Sequence, residues 1–219
     1  MLSHLDFIIF PDRCEVLEIV PSQRYFYPIF KNGSSSVVEE ANKNKWRIYL
    51  NEQITRLPSV DVVVRDPEKR FVSGINSFVT QTMQSNPELD KNTIFWFAKK
   101  YLHINRHYCM QFSWLLNLAR YLDPSAKINL LGLDDIKQIT NYAIDPWGFK
   151  DESFTKELLD LPEQEMYNRV DQVLVNAIGQ SLTFTEIVEL IQIQDPDAYK
   201  QVILKAQNIL NPTYVVPKT

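Results

Sequence analysis

Tyr25-Phe26-Tyr27-Pro28-Ile29-Phe30-Lys31-Asn32-Gly33-Ser34-Ser35-Ser36-Val37-Val38 reads as a strand, a tight polar loop and the start of a helix. Aromatic and β-branched residues fill its first part, as a buried strand prefers. Gly33 lets the backbone turn sharply or approach a ligand closely. The serines suit the cap of a helix that Val37, Val38 and Ala41 continue. A loop feeding a helix N-terminus turns several unpaired N–H groups and the positive end of the helix dipole toward one point, and Lys31 adds a full charge there. Lys31, Asn32, Gly33, Ser34, Ser35 and Ser36 therefore form a candidate anion loop. The alternative is an ordinary capped turn with an exposed lysine.

Outward from this stretch the same unit repeats. Val60-Asp61-Val62-Val63-Val64 is short and β-branched, fit to be buried on both faces. It runs into Arg65-Asp66-Pro67, and Pro67 suits the first turn of a helix, where its missing N–H costs nothing. Phe71, Ile75, Phe78, Val79 and Met83 then recur at helical spacing. Lys127-Ile128-Asn129-Leu130-Leu131-Gly132-Leu133 predicts a third central strand, and Asp134-Asp135 the start of the next helix. Strands joined through helices argue an α/β fold with a central, mainly parallel sheet flanked by helices. Residues 7–10 and 14–20 read as edge strands or lead-in segments, 94–101 and 107–122 as helices. Beyond Asp145-Pro146-Trp147-Gly148 the pattern is helical, over 154–160, 163–178, 184–193 and 197–210. One domain over 1–219 is expected, an α/β core over 1–145 followed by a helical extension over 146–219.

Composition narrows the function classes. With 45% hydrophobic residues in 219, the chain is long enough to bury one sizeable core. A net charge of −4 and a pI near 5.5 speak against a general nucleic-acid binder, while leaving room for a local basic pocket. Cys14 and Cys109 make neither a disulfide framework nor a zinc spacing, so a reducing compartment is expected. No stretch reaches the ~18–20 apolar residues of a membrane span, and no signal peptide is legible. A soluble, cytoplasmic protein is the expectation.

A second anion element lies at the end of the Val60–Val64 run. An arginine at the carboxyl edge of a parallel strand stands where open α/β sheets bind ligands, and its planar fork of donors suits a phosphate. Ser73, on the helix that follows, offers a hydroxyl to the same anion. Arg70 reads as a surface or salt-bridging residue rather than a ligand.

Together, Lys31-Asn32-Gly33-Ser34-Ser35-Ser36 and Arg65-Asp66-Pro67-x-x-Arg70-Phe71-x-Ser73 resemble the two cofactor motifs of sulfotransferases, particularly the Golgi carbohydrate type. In that family the first loop holds the 5′-phosphosulfate of 3′-phosphoadenosine 5′-phosphosulfate (PAPS), and the second motif, R-D-P-x-x-R-x-x-S, holds the 3′-phosphate. Asn105-Arg106-His107-Tyr108-x-x-Gln111 is similar to the family's N-x-H-W-x-P-Q stretch, with Tyr108 in place of the tryptophan and Met110 in place of the proline. The resemblance covers roughly 25–133. It implies a P-loop-NTPase-like sulfotransferase fold, PAPS as sulfuryl donor and a hydroxyl acceptor, most plausibly a carbohydrate. It further implies that Lys31 and 33–36 hold the 5′-phosphosulfate and that Arg65 and Ser73 hold the 3′-phosphate. The membrane anchor and lumenal disulfides usual in the carbohydrate type are not evident here.

Sulfuryl transfer needs charge neutralisation on the sulfuryl oxygens, a stabilised leaving phosphate and a base for the acceptor proton. Lys31 suits the first two tasks, and His107 the third, since an unperturbed imidazole titrates near neutrality. A partly buried histidine bonded to a backbone carbonyl is the competing account of His107. Glu39 and Glu40 compete as bases, or form a solvated helix face. His103 and His107 are four apart, yet lack the glutamate of a zinc-protease helix, so no metal is expected. Phe95, Trp96, Phe97 and Tyr101 recur as a helix core does, although adenine or a sugar would stack on such rings. A nucleotide kinase is disfavoured because Lys31 precedes Gly33, the reverse of G-x-x-x-x-G-K-[ST]. A non-catalytic nucleotide-binding adaptor that docks a protein through 163–210 is the alternative from another class.

Overall fold

The computed structural model describes residues 14–20, 22–102, 105–139 and 152–203. Among them a six-stranded sheet runs in the order β3-β1-β2-β4-β5-β6. The strands are β1 (Glu15–Ile19), β2 (Arg24–Tyr27), β3 (Arg47–Leu50), β4 (Ser59–Val63), β5 (Lys127–Leu131) and β6 (Ser181–Leu182). β2, β4 and β5 pair in parallel, as expected of strands linked through helices. The sheet as a whole is mixed, which corrects the expectation of a mainly parallel one: β1 pairs antiparallel with β2 and β3, and β6 antiparallel with β5. For β1 and β2 the physical reason is connection length. β1 and β2 are joined by a short turn with Gln23 in the left-handed region (φ 53), and a connection this short reverses the chain. β1 is therefore an interior strand and not an edge. The 7–10 segment lies outside the described residues.

Alternation along the strands sorts two apolar layers. Val60 and Val62 of β4 and Ile128 and Leu130 of β5 face the larger cluster. That cluster includes α2 (Pro67–Ser85), α3 (Lys91–Lys100), α4 (Gln111–Ala119), α7 (Pro162–Asn176) and α8 (Phe184–Gln194). Phe26 and Val63 face the other way, against Val37 and Ala41 of α1 (Ser34–Asn44), Trp46 and Ile136. With both faces covered, β4 is almost wholly buried, as its continuous β-branched run requires. The remaining described helices are α5 (Ile136–Ile139), α6 (Glu152–Leu159) and α9 (Pro196–Ala198), the last continuing as a π-helical turn over Tyr199–Ile203. The 145–148 turn and the chain beyond 203 lie outside the described residues.

Two helix starts differ from the sequence pattern. The serines do not cap α1: the N-cap is Gly33, at φ 77, and no side chain caps the helix. A Cβ at Gly33 would stand 2.1 Å from Ile136 Cδ1 and require that side-chain end to shift, while the positive φ itself favours glycine. The helix expected over 107–122 begins only at Gln111. Asn105 holds the preceding residues in a turn, its Oδ1 accepting the His107 N–H (2.9 Å) and its carbonyl the Cys109 N–H (2.7 Å). Gly74 of α2 lets this turn pack directly on the helix, for a Cβ there would lie 2.2 Å from the His107 carbonyl oxygen.

The cap of α4 comes from far along the chain. Met110, its N-cap, contributes no side-chain bond. Asp171, 60 residues on in α7, accepts the Gln111 N–H at 2.6 Å and the Phe112 N–H at 3.0 Å. A carboxylate at a helix N-terminus satisfies orphan donors and meets the positive end of the dipole. Asp171 is nevertheless buried, and burial pushes its carboxyl up to about 6 despite the Arg70 charge and these two amide bonds. Asp171→Ala is expected to cost roughly 2–4 kcal/mol in chemical denaturation, because two buried amides lose their acceptor and Arg70 its nearby anion. A loss below ~1 kcal/mol would show that α4 does not depend on this cap.

Candidate functional site

The loop after β2 is held open by two left-handed residues. Lys31 (φ 67) and Gly33 (φ 77) flank Asn32, and for a lysine that conformation costs about 1–2 kcal/mol. Three neighbours hold it there. Buried Asn32 donates through Nδ2 to the Val63 carbonyl at 2.7 Å and to Gln111 Oε1 at 2.6 Å. Arg65 Nη1 donates to the Lys31 carbonyl at 3.1 Å, and Arg70 Nε to the Phe30 carbonyl at 3.1 Å. Gln111 joins both motifs: its Oε1 also accepts the Arg65 N–H and its Nε2 donates to the Arg65 carbonyl, each at 2.8 Å.

Arg70 is not the surface residue that its sequence context suggests. It is 1% exposed, and its Nη1 donates to the Cys109 carbonyl, so it ties the lysine loop to the 105–109 turn. Ser73 lies half-buried between Arg70 and Ser77 on α2. Ser77, which the sequence reading passed over, accepts a hydrogen bond from Lys31 Nζ. Its signal was spacing: Ser77 is one turn beyond Ser73 and two beyond Arg70, on one helix face. Ser34 and Ser36 are buried and Ser35 exposed at the start of α1, where the first intrahelical bond is Val37 N–H to the Gly33 carbonyl. Amides ahead of that bond have no acceptor within the helix.

His107 lies against the same loop. Its ring meets the edge of Phe30, centroid to centroid 5.6 Å, while the Arg106 guanidinium sits 4.9 Å from the Phe30 ring centre. The imidazole is buried and its Nδ1 has no hydrogen-bond partner, so the carbonyl-bonded account does not describe that atom. Tyr108, which stands where the family motif has tryptophan, is core, packed edge-on against Phe71 and Phe78. Glu39 and Glu40 are spent along α1, the first on Lys43 and the second on Asn44. Phe95, Phe97 and Tyr101 pack on the core, whereas Trp96 is 54% exposed. His103 lies outside the described residues, and among the described residues no three His, Cys, Asp or Glu are placed to hold a metal ion.

Cations predominate at the loop, with Asp66 acting on Arg65 and Asp171 on Arg70. Burial, then the Arg70 and Arg65 charges, hold the Lys31 ammonium below its usual range. Burial also lowers Arg65 and Arg70, which as guanidinium groups stay charged. Burial, then Lys31, Arg106 and Arg70, push His107 down to about 3. Arg65 Nε and Arg70 Nη2 are buried donors with no acceptor. Unspent donors and mutually repelling cations gathered at the end of two parallel strands are what an anion would relieve. A separate concavity of about 320 Å³ lies among Arg24, Asp61, Asn129 and Ser181. There Arg24 and Asn129 both donate to Asp61, and Ser181 donates to Asn129, so its polar groups answer one another. The loop is the stronger candidate for that reason. Among the described residues no helix is long and apolar enough to cross a membrane.

The chain matches no family model, no curated protein and no solved structure.

Acid stability reports on His107. Its folded value lies below the usual 6.5, so the unfolded chain takes the proton first and stability is lost as pH falls from 6.5 toward 3. Asp171 works oppositely, its raised value adding stability as pH falls from 6 toward 3.8. Comparing wild type with His107→Phe isolates the first effect: wild type should lose about 2 kcal/mol more than the variant between pH ~7.5 and ~5. Equal losses would mean that His107 is not held neutral by the fold.

Proposed function

We propose that this protein is a sulfotransferase that moves a sulfuryl group from PAPS to a hydroxyl, with a carbohydrate as acceptor. One observation carries the proposal: Arg65 Nη1 reaches the Lys31 carbonyl at 3.1 Å, joining two motifs 34 residues apart in sequence. Gln111 of the third motif bonds to both, to Asn32 on one side and to the Arg65 backbone on the other. Three stretches that resemble one family's signature thus meet at a single anion-favouring place. The strand–loop–helix order at β2 and β4 is compatible with the P-loop-NTPase-like architecture that the resemblance implies.

The residues present fit a nucleotide that carries two anionic groups. Arg65 Nε and Arg70 Nη2 are donors without acceptors, and the start of α1 supplies main-chain amides. In the proposed reaction the acceptor oxygen forms a bond to sulfur as the bond from sulfur to the phosphate oxygen breaks. The acceptor proton passes to the His107 imidazole. Lys31, beside Ser77, offsets negative charge on the departing phosphate, and Arg65 with Ser73 takes the 3′-phosphate. Water exclusion matters because the same donor hydrolyses if water takes the acceptor's place.

Calorimetric titration with adenosine 3′,5′-bisphosphate tests this. Wild type should bind it, and adenosine 5′-monophosphate markedly less. Arg65→Ala should weaken bisphosphate binding by roughly ten- to a hundredfold, the loss of a charge-assisted contact. No binding by folded wild type would overturn the proposal. Binding without sulfuryl transfer on a broad hydroxyl panel would instead point to the adaptor.

A further inference from the structure

Burial first, and then three charges of one sign, disfavour a proton on the His107 ring. Lys31 acts on it from the loop after β2, Arg70 from α2, and Arg106 from its own turn. Gly74 of α2 brings that turn against the helix, and the Phe30 ring lies beside the imidazole without charge. The carboxylates that act on these arginines are committed elsewhere. Asp171 of α7 faces Arg70 but accepts the two α4 amides, and Asp66 acts on Arg65 while its carboxylate caps α2. His107 is 7% exposed, so solvent does little to screen the three cations, and its Nδ1 has no partner. A proton placed on this ring meets burial and repulsion, and at Nδ1 it finds no acceptor. In this arrangement His107 is a poor base, at odds with the task that the sulfotransferase proposal gives it.

We infer that the anion bound among Lys31, Arg65 and Arg70 is what enables His107 to take a proton, so that the site accepts a proton from an acceptor hydroxyl only when its anionic donor is in place. The inference rests on the proposed function for the identity of that anion, and on the cation cluster alone for the gating. Two effects act in the same direction. A dianion cancels the field that Lys31 and Arg70 impose, and its oxygens accept from the arginine donors that otherwise lack an acceptor. The consequence is protective. With the donor absent the ring stays neutral and inert, and with the donor bound the base becomes competent beside the group it serves. The depressed Lys31 ammonium shares this environment and gains in the same way.

The test is the imidazole titration of the full chain followed by nitrogen and carbon NMR. The chain has three histidines, His4, His103 and His107. The His107 signals are assigned from the His107→Gln spectrum or, should that variant not fold, by elimination with His4→Gln and His103→Gln. In the free protein His107 should stay neutral down to about pH 5, and with saturating adenosine 3′,5′-bisphosphate its midpoint should rise by about 1–3 pH units. Neutral adenosine should leave it unmoved, and Lys31→Met should raise it in the free protein by removing one cation. Bisphosphate that binds by calorimetry yet leaves the His107 titration unchanged would overturn the gating while sparing the donor assignment. Failure of the bisphosphate to bind would overturn the donor assignment, and inorganic pyrophosphate at millimolar concentration then tests the gating alone. A raised midpoint with pyrophosphate supports the gating, and an unmoved one overturns it.

Discussion

The site depends on a buried carboxylate from α7 meeting the N-terminus of α4. Asp171 fixes the first two amides of that helix, and the first of them belongs to Gln111. Gln111 in turn is spent on the Arg65 backbone and on Asn32, so it ties the strand end to the lysine loop beside the direct Asn32–Val63 and Arg65–Lys31 bonds. The order of dependence runs from the helical third of the chain inward. Loss of Asp171 would free α4, then Gln111, then the register between two loops that no backbone pairing connects. A helical extension is thereby part of what shapes the site.

Around that anchor the protein tolerates an arrangement that stability alone would not select. Arg70 is a fully buried cation bonded to two main-chain carbonyls, and Lys31 keeps a left-handed backbone that a glycine would adopt with less strain. His107 is buried among like charges with one nitrogen unpartnered. Each departure is costly by itself, and all of them meet at one place. Departures that cluster at the carboxyl edge of parallel strands are what the proposed anion site would account for.

Sequence and structure parted where contacts are long-range. Arg70 looked like a surface residue because R-D-P-x-x-R opens a helix with charges on both sides, yet its position faces Phe30 and Cys109, 40 and 39 residues away. Ser77 carried no motif of its own. The stretch over 107–110 reads as helix because its residues suit one, and the close approach to Gly74 and the Asn105 side chain hold it in a turn. The interior place of β1 is illegible too, since a short strand of three apolar residues and two glutamates reads the same at an edge or in the middle.

What can be read from residues in order is local: the β-branched strand at β4, Pro67 opening α2, Gly33 at the turn before α1 and the three motifs that flank them. These follow from backbone sterics and from periodicities of two and 3.6, which act between near neighbours. Which cations act on one another, which carboxylate caps which helix and which ring is denied its proton depend on packing between elements tens of residues apart. Burial supplies that information, because it lowers the dielectric and lets charges that would ignore one another in water govern a single imidazole.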